Sequence, residues 1–449
     1  MRLFDTLFIA TLLAPAVASQ VARPRTSPSF PATDAGTSFE PGIIIGLQPF
    51  ADPEPIAQLT GSRVVHGKPE VGLWLLRPPP GTSPEEVVFL ALLTKGVPTV
   101  YYAEPDQESQ PPETPGCGPS TEEAGAQQCT ISFMDATPTA EEYDNQPAAG
   151  IIAADAAHAM FTPTASMVVA VIDTGLDLSH PGLVGSVLTG NDWDWVDNDD
   201  EAQDYPTGTD KDGDGLVDEG LGHGTHISGL VLLADPNAMI LPLRVLDADG
   251  NGSSFNVALS IYYAVDEGAH VINMSLSMRT PSDAVAHALM YAEHYGVTVV
   301  TSAGNTYDYV LFPDTYHPAE HPYPSWAPPG LTFTGENVIG VASTDDYDIK
   351  AVFSSYGPDV EISAPGVGIY SLQWGNNWAW WEGTSMSAGL VSGCCSYLLS
   401  IQGSGYTGTL LQAISDSAVD LDVLNPTYAG DLGAGRIDLY EAALIVTGP

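Results

Sequence analysis

Between Met167 and Ile172 every residue is apolar. An unbroken run of that length, rich in valine and isoleucine, predicts a strand buried on both faces. Shorter or interrupted apolar stretches predict strands at Met239 to Leu246, Val271 to Leu276, Val297 to Thr301 and Val338 to Ala342. Between them the period lengthens to that of helices, over His223 to Leu233, Ser254 to Glu267, Ser282 to Tyr295 and Met386 to Leu399. Such alternation predicts an α/β fold with three layers: a mostly parallel central sheet and helices on both faces. Chemistry in a sheet of this kind gathers at the carboxyl ends of its strands.

The first quarter of the chain has a different pattern. Ile43-Ile44-Ile45, Val71 to Leu76 and Thr99 to Tyr102 predict strands. Ser83 to Thr94 predicts a helix, capped by Ser83 and with Glu85 and Glu86 in its first turn. Residues 19–108 therefore read as a small α+β domain. Residues 109–129, rich in Pro, Gly, Glu and Gln, read as a linker or processing region, and 130–449 as the large domain. Ahead of both, Arg2, the apolar stretch Leu3 to Leu13 and Ala16-Val17-Ala18 have the layout of a signal peptide, residues 1–18. That stretch is too short to span a bilayer, and no later run is long enough, so a secreted protein without a membrane span is expected. Export permits disulfides, with Cys117–Cys129 the preferred pair. Cys394 and Cys395, adjacent on a predicted helix, read as buried free thiols.

Charge narrows the field. The 449 residues carry 56 acidic and 12 basic side chains, a net −44, which excludes a phosphate-binding surface and hence a nucleic-acid partner. Beyond residue 129 only Lys211, Arg244, Arg279, Lys350 and Arg436 are basic, so stability is expected to rise with salt. One acidic segment has an internal pattern. In Asp210 to Glu219, carboxylates stand at Asp210, Asp212, Asp214 and Asp218, with Gly215 at the turn and the Leu216 carbonyl next to it. These are positions 1, 3, 5, 9, 6 and 7 of an EF-hand loop, and they predict a structural calcium ion. Leu221 stands where such a loop carries its bidentate glutamate, so Glu219, or a borrowed Asp197 or Asp199, is expected to complete the set.

Four residues fall where the fold predicts chemistry. Asp173 ends the first buried run, His223 follows Gly222 at a helix start, and Asn305 follows a strand in Ser302-Ala303-Gly304-Asn305. Ser385 opens the late helix in Gly383-Thr384-Ser385-Met386-Ser387. A serine nucleophile needs a base near neutral pH, and an imidazole base needs a carboxylate to fix its tautomer. An Asn amide beside the serine N–H can hold the developing oxyanion. Singly, each residue also fits a turn or a cap. His226, almost one helical turn beyond His223, reads as structural.

With Val171 to Gly175, His223 to His226, Asn273-Met274-Ser275-Leu276, Ala303-Gly304-Asn305 and Gly383 to Met386 in this order, the chain resembles the subtilisin family of secreted serine endopeptidases. The resemblance covers about residues 145–449, including Leu432 to Ile437. It implies peptide-bond hydrolysis through an acyl-enzyme, with broad protein and peptide substrates, by a monomer made as a proenzyme. It also implies a groove with Ser275-Leu276-Ser277 on one edge and Gly250-Asn251-Gly252 on the other. Ser302-Ala303-Gly304 would then wall the pocket, with Trp381 on the leaving-group side. Residues 40–106 resemble the family's inhibitory propeptide, and Tyr101 to Asp106 is expected to lie in the groove as a product-like strand. A catalytically silent binding or adhesion protein on the same fold is the alternative, and the intact Asp-His-Ser set argues against it. The chain departs from the family at Ser277, usually glycine, and at Gly389-Leu390, usually proline and histidine. It departs again at Gly182, where the family's common calcium site has an aspartate. Asp308 to Gly330 reads as an insertion near the pocket.

Overall fold

The structure, a computed structural model, describes residues 42–93, 100–111, 140–211, 215–278, 280–305 and 334–448. The signal peptide, Cys117 and Cys129, most of the linker and the insertion at 308–330 lie outside the described residues.

The large domain is built on a seven-stranded sheet. Its order is Ile362–Pro365, Val338–Thr344, Thr298–Ser302, Val271–Met274, Val168–Asp173, Met239–Arg244 and Trp193–Asp194. Every pairing within it is parallel. The strand that comes first in sequence sits in the interior, and the chain leaves it to build outward on both sides. The crevice beside its carboxyl end is thus a topological switch point. Alternate residues of this strand enter two different cores. Val169 and Val171 face the helices His223–Ala234 and Thr384–Ile401, while Ala170 and Ile172 face Ser254–Asp266 and Asp283–His294. Burial on both faces is why its sequence shows no alternation. Each fully buried Val, Leu or Ile side chain contributes roughly 1.5–3 kcal/mol.

The helix Thr384–Ile401 has the length and hydropathy of a membrane span, yet 94% of it is buried inside the protein, as its core helix. It runs without a break through Gly389 and Leu390, so the departure from the family pattern does not disturb it. Gly393 shows why the helix is rich in small residues. A Cβ there would meet the Val231 carbonyl oxygen at 2.4 Å, so the two core helices could not approach as they do.

The small domain adds a four-stranded antiparallel sheet in the order Arg63–Lys68, Leu73–Arg77, Ile43–Leu47 and Val100–Pro105. It also has helices Glu54–Thr60 and Pro84–Leu92, the latter capped by Ser83 as its sequence predicts. Ile43, Ile45 and Leu47 pack on these helices, whereas Ile44, Leu73 and Tyr102 join the core beneath Ser254–Asp266 and Asp283–His294. The small sheet is therefore sandwiched between its own helices and two helices of the large domain.

Candidate active site

Asp173 is the last residue of the interior strand and His223 the first of its helix. Both are buried, with His223 Nδ1 lying 2.7 and 2.9 Å from the two carboxylate oxygens of Asp173. The Thr174 N–H donates to the same carboxylate at 2.7 Å. With Nδ1–H donating to Asp173, Nε2 is the nitrogen that can accept a proton. Gly224 makes this approach possible, because a Cβ there would fall 2.3 Å from the Gly175 carbonyl oxygen.

Ser385 is the second residue of the helix Thr384–Ile401, at the positive end of its dipole. Its Oγ lies 3.4 Å from the Ser275 carbonyl oxygen, and the Ser275 hydroxyl donates back to the Ser385 carbonyl at 3.1 Å. Asn305 is fixed from the same helix end. Its Oδ1 accepts the Thr384 N–H at 3.1 Å and the Thr384 hydroxyl at 2.9 Å. A backbone N–H can only donate, so the facing atom is the oxygen, and Nδ2 is the amide's donor. Asn305→Ala is expected to lower kcat by about 10²–10³ with little change in KM, since that donor acts on charge developed in the transition state. Steady-state kinetics on a peptide substrate checks this, and an unchanged kcat would remove Asn305 from the oxyanion role.

Several positioning residues escape sequence reasoning. The buried Asp204 carboxylate accepts the Gly222 N–H at 2.7 Å and the Thr174 hydroxyl at 3.0 Å. Thr174 Oγ1 in turn accepts the Gly224 N–H at 3.1 Å. Asp204 thereby ties the segment after Asp173 to the turn around His223. Burial pushes its pKa up to about 7, against the pull of the Gly222 N–H and Arg244. In the sequence it is one of many aspartates from Asp192 onward, and no spacing singles it out. Arg244 Nε donates to the Thr174 carbonyl at 3.1 Å, and its guanidinium pairs with Asp194 at 2.7 Å and Asp197 at 2.6 Å.

Trp381, only 3% exposed, lies between two imidazoles. Its ring is 5.4 Å from His223 and stacks on His226 at 5.2 Å. Its packing role is thus added to the rim role expected for it. His226 is structural, as its place in the sequence predicts. Burial, with His223 adding to it, lowers its pKa to about 3, and Nε2 lies 3.3 Å from the Ala379 carbonyl oxygen.

The groove is filled by the chain itself. Glu108–Ser109 pairs antiparallel with Gly252–Ser253. Gln110 exchanges both backbone hydrogen bonds with Ser277, at 3.0 and 2.7 Å. Gly250-Asn251-Gly252 and Ser275-Leu276-Ser277 are therefore two edges of one slot, with Ser302, Ala303 and Gly304 buried at the end of the neighbouring strand. The expectation that Tyr101 to Asp106 fills the slot is corrected. Val100–Pro105 is needed as a strand of the small sheet, paired with Ile43–Leu47, and the chain reaches the slot only after Asp106. Two carboxylates guide it there. Glu104 accepts the Asp283 N–H at 2.8 Å, the Ala284 N–H at 3.0 Å and the Ser282 hydroxyl at 2.8 Å, which caps one helix. Asp106 accepts the Phe255 N–H at 3.1 Å and the Ser254 hydroxyl at 3.0 Å, which caps the other. Burial pushes Glu104 up to about 7 and Asp106 up to about 6, each opposed by these hydrogen bonds.

The acidic loop matches its expected ligand role only in part. Asp210 Oδ2 accepts the Gly215 N–H at 3.0 Å, which closes the turn. The Asp218 carboxylate is engaged elsewhere, by the Thr207 N–H at 2.9 Å, the Thr207 hydroxyl at 2.7 Å and the Gly208 N–H at 2.8 Å. Asp197 is held by Arg244 and Tyr205, so it is not a borrowed ligand. Asp212 and Asp214 lie outside the described residues, and among the described residues no three His, Cys, Asp or Glu side chains are grouped to hold a metal.

Comparison with known proteins agrees with this geometry. The model of the subtilase family matches residues 164–435. A thermophilic serine proteinase of Bacillus sp. (strain AK1) is 35% identical over 284 residues, 61% of this chain and 61% of that protein. Thermitase of Thermoactinomyces vulgaris is 34% identical over 284 residues, 61% of this chain and 87% of thermitase. The crystal structure of fervidolysin from Fervidobacterium pennivorans, described as a keratinolytic enzyme related to subtilisin, superposes with a TM-score of 0.66. That match covers 94% of this chain and 63% of fervidolysin at 24% identity, a likeness of fold.

Proposed function

Because the chain belongs to the subtilase family, we propose that it is a secreted serine endopeptidase, made as a proenzyme, that cuts protein and peptide substrates through an acyl-enzyme. The observation that carries this reading is the buried Asp173–His223 pair at the switch point of the sheet, with His223 on a helix that packs in one core with the helix whose N-terminus carries Ser385. Ser385 Oγ attacks the scissile carbonyl while His223 Nε2 takes its proton and later delivers it to the leaving amine. Asp173 stabilises the imidazolium, and the Ser385 N–H with Asn305 Nδ2 holds the oxyanion. A fluorophosphonate probe should label the wild type and leave Ser385→Ala unlabelled. Equal labelling of the two, or of neither, would sink the reading in favour of a silent binding protein.

Residues 19–111 are the inhibitory propeptide on this reading, extended to include the groove strand. Added in trans, this segment should inhibit the mature enzyme at micromolar concentration or below. Glu104→Ala and Asp106→Ala should each weaken it by roughly 5- to 100-fold, since each leaves buried N–H donors unmet. An inhibition constant indifferent to both changes would separate helix capping from inhibition.

Calcium is the proposed structural ion. By spacing, Asp210, Asp212, Asp214, the Leu216 carbonyl and Glu219 would hold it, and Asp218 orders the loop from outside. When bound, the ion supplies charge neutralisation to a loop that ends four residues before His223. Calcium should raise both melting temperature and activity, and Asp212→Ala should blunt both responses. No change in the melting temperature of thoroughly chelated wild type on adding calcium would reduce the loop to a turn.

A further inference from the structure

The groove strand carries a side-chain contact that main-chain pairing does not require. Gln110 Nε2 donates to the Asn251 side-chain Oδ1 at 2.9 Å. The other atom of that amide, Asn251 Nδ2, is buried and has no hydrogen-bond partner among the described residues. Asn251 itself is held still: its N–H donates to Asp247 Oδ1 at 3.0 Å, and its carbonyl accepts the Asp247 N–H at 2.9 Å. It thus presents one acceptor and one unmet donor from a fixed backbone.

Register locates this contact along a substrate. Gln110 and Ser277 form a pair that exchanges both hydrogen bonds, and the next such pair on antiparallel strands lies two residues on along each. A substrate in the same register places its residue two beyond the Gln110 position opposite Ser275. The Ser275 carbonyl is 3.4 Å from Ser385 Oγ, so that residue is the one whose carbonyl is attacked. The Gln110 position is therefore the third residue before the cut.

We propose that Asn251 selects substrates with glutamine at the third residue before the scissile bond, a preference that rests on the endopeptidase reading. A primary amide donates to Oδ1, as Gln110 does, and also carries an oxygen of the kind Nδ2 can donate to, whereas alanine offers neither group and lysine only donors. Glutamate could meet Nδ2, yet its charge would approach an acidic surround. Asp247 lies behind Asn251, paired with Lys211 at 3.0 Å. Asp249 accepts the backbone N–H groups of Asp218, at 2.6 Å, and of Lys211, and adds a further negative charge beside Asp247. This contact converts the acidity of the large domain into discrimination between two side chains of the same shape.

The test uses mature enzyme and four fluorogenic peptides that differ only at the third residue before the cut: Gln, Glu, Ala and Lys. Wild type should favour Gln over Ala by about 2- to 10-fold in kcat/KM, the size of one net hydrogen bond, with Glu no better than Ala. Molar salt should narrow the gap between Gln and Glu. Within Asn251→Ala the Gln-to-Ala ratio should fall to about one. Asn251→Asp keeps an acceptor, loses the donor and adds charge, and should shift the preference to Lys. Equal rates for Gln and Ala in wild type, or an undiminished ratio in Asn251→Ala, would overturn the proposal while leaving the endopeptidase intact. Failure to cleave any of the four, with no fluorophosphonate labelling, would overturn both.

Discussion

Ser385→Ala is expected to cost about 10⁶-fold in kcat, the size that such a loss takes in subtilisin itself. The alanine removes the hydroxyl that would attack the substrate carbonyl. His223→Ala should cost about as much, because an unactivated serine hydroxyl is a poor nucleophile. The double variant should be hardly worse than either single one, since the two residues act as one unit. Neither change leaves a large cavity in the two main cores, so circular dichroism and the melting transition should persist. Single-turnover hydrolysis of a peptide by mature enzyme is the measurement. Turnover within tenfold of wild type in Ser385→Ala would remove Ser385 as nucleophile.

Asp173→Asn carries the second largest expected effect, about 10⁴-fold in kcat. The substitution is nearly isosteric, so the geometry can remain while the chemistry fails. Asp173 now accepts from His223 Nδ1 and from the Thr174 N–H. An asparagine can accept from only one side with its oxygen, and the Thr174 N–H takes that place. Its NH₂ then faces His223, which must turn Nδ1 into an acceptor and carry its proton on Nε2. The base is thereby in the wrong tautomer. Binding should hardly change, so KM is expected to stay within a few-fold while kcat falls. A small loss, below tenfold, would remove Asp173 as the group that fixes the tautomer.

The parts of the fold that were legible in sequence are those whose burial is complete. Val168–Asp173 is apolar from its first residue through Ile172 because both faces are covered, and in Thr298–Ser302 the pair Val299-Val300 marks a strand just as fully buried. Ile362–Pro365 was missed because a four-residue strand ending in proline gives no run to detect. The hairpin Ile369–Gln373 with Asn377–Trp381 escapes detection because Trp378, Ala379, Trp380 and Trp381 do not alternate with polar residues as a half-buried strand's would. Among site residues, Asp173, His223, Asn305 and Ser385 stood out because small residues flank each at a strand end or helix start. Glu104, Asp106 and Asp204 did not. Their partners are backbone N–H groups between 18 and 180 positions away in the chain, so each looks like an ordinary solvated acid. The same blindness moved the groove strand. Tyr102-Ala103-Glu104 reads as extended chain in either place, and only its pairing with Ile43–Leu47 settles which.

Cys394 and Cys395 are fully buried on the helix that begins at Thr384, and burial pushes Cys395 up to about 12 and Cys394 well above its ordinary value. A thiol held in that state offers almost no thiolate to an oxidant or an alkylating reagent. To reach either sulfur, a reagent must wait for the helix to leave the core, and that helix also carries Ser385. Loss of activity to a thiol-specific reagent would then not be damage to the site chemistry. It would record how often the helix opens, and the two thiols would keep time for the nucleophile.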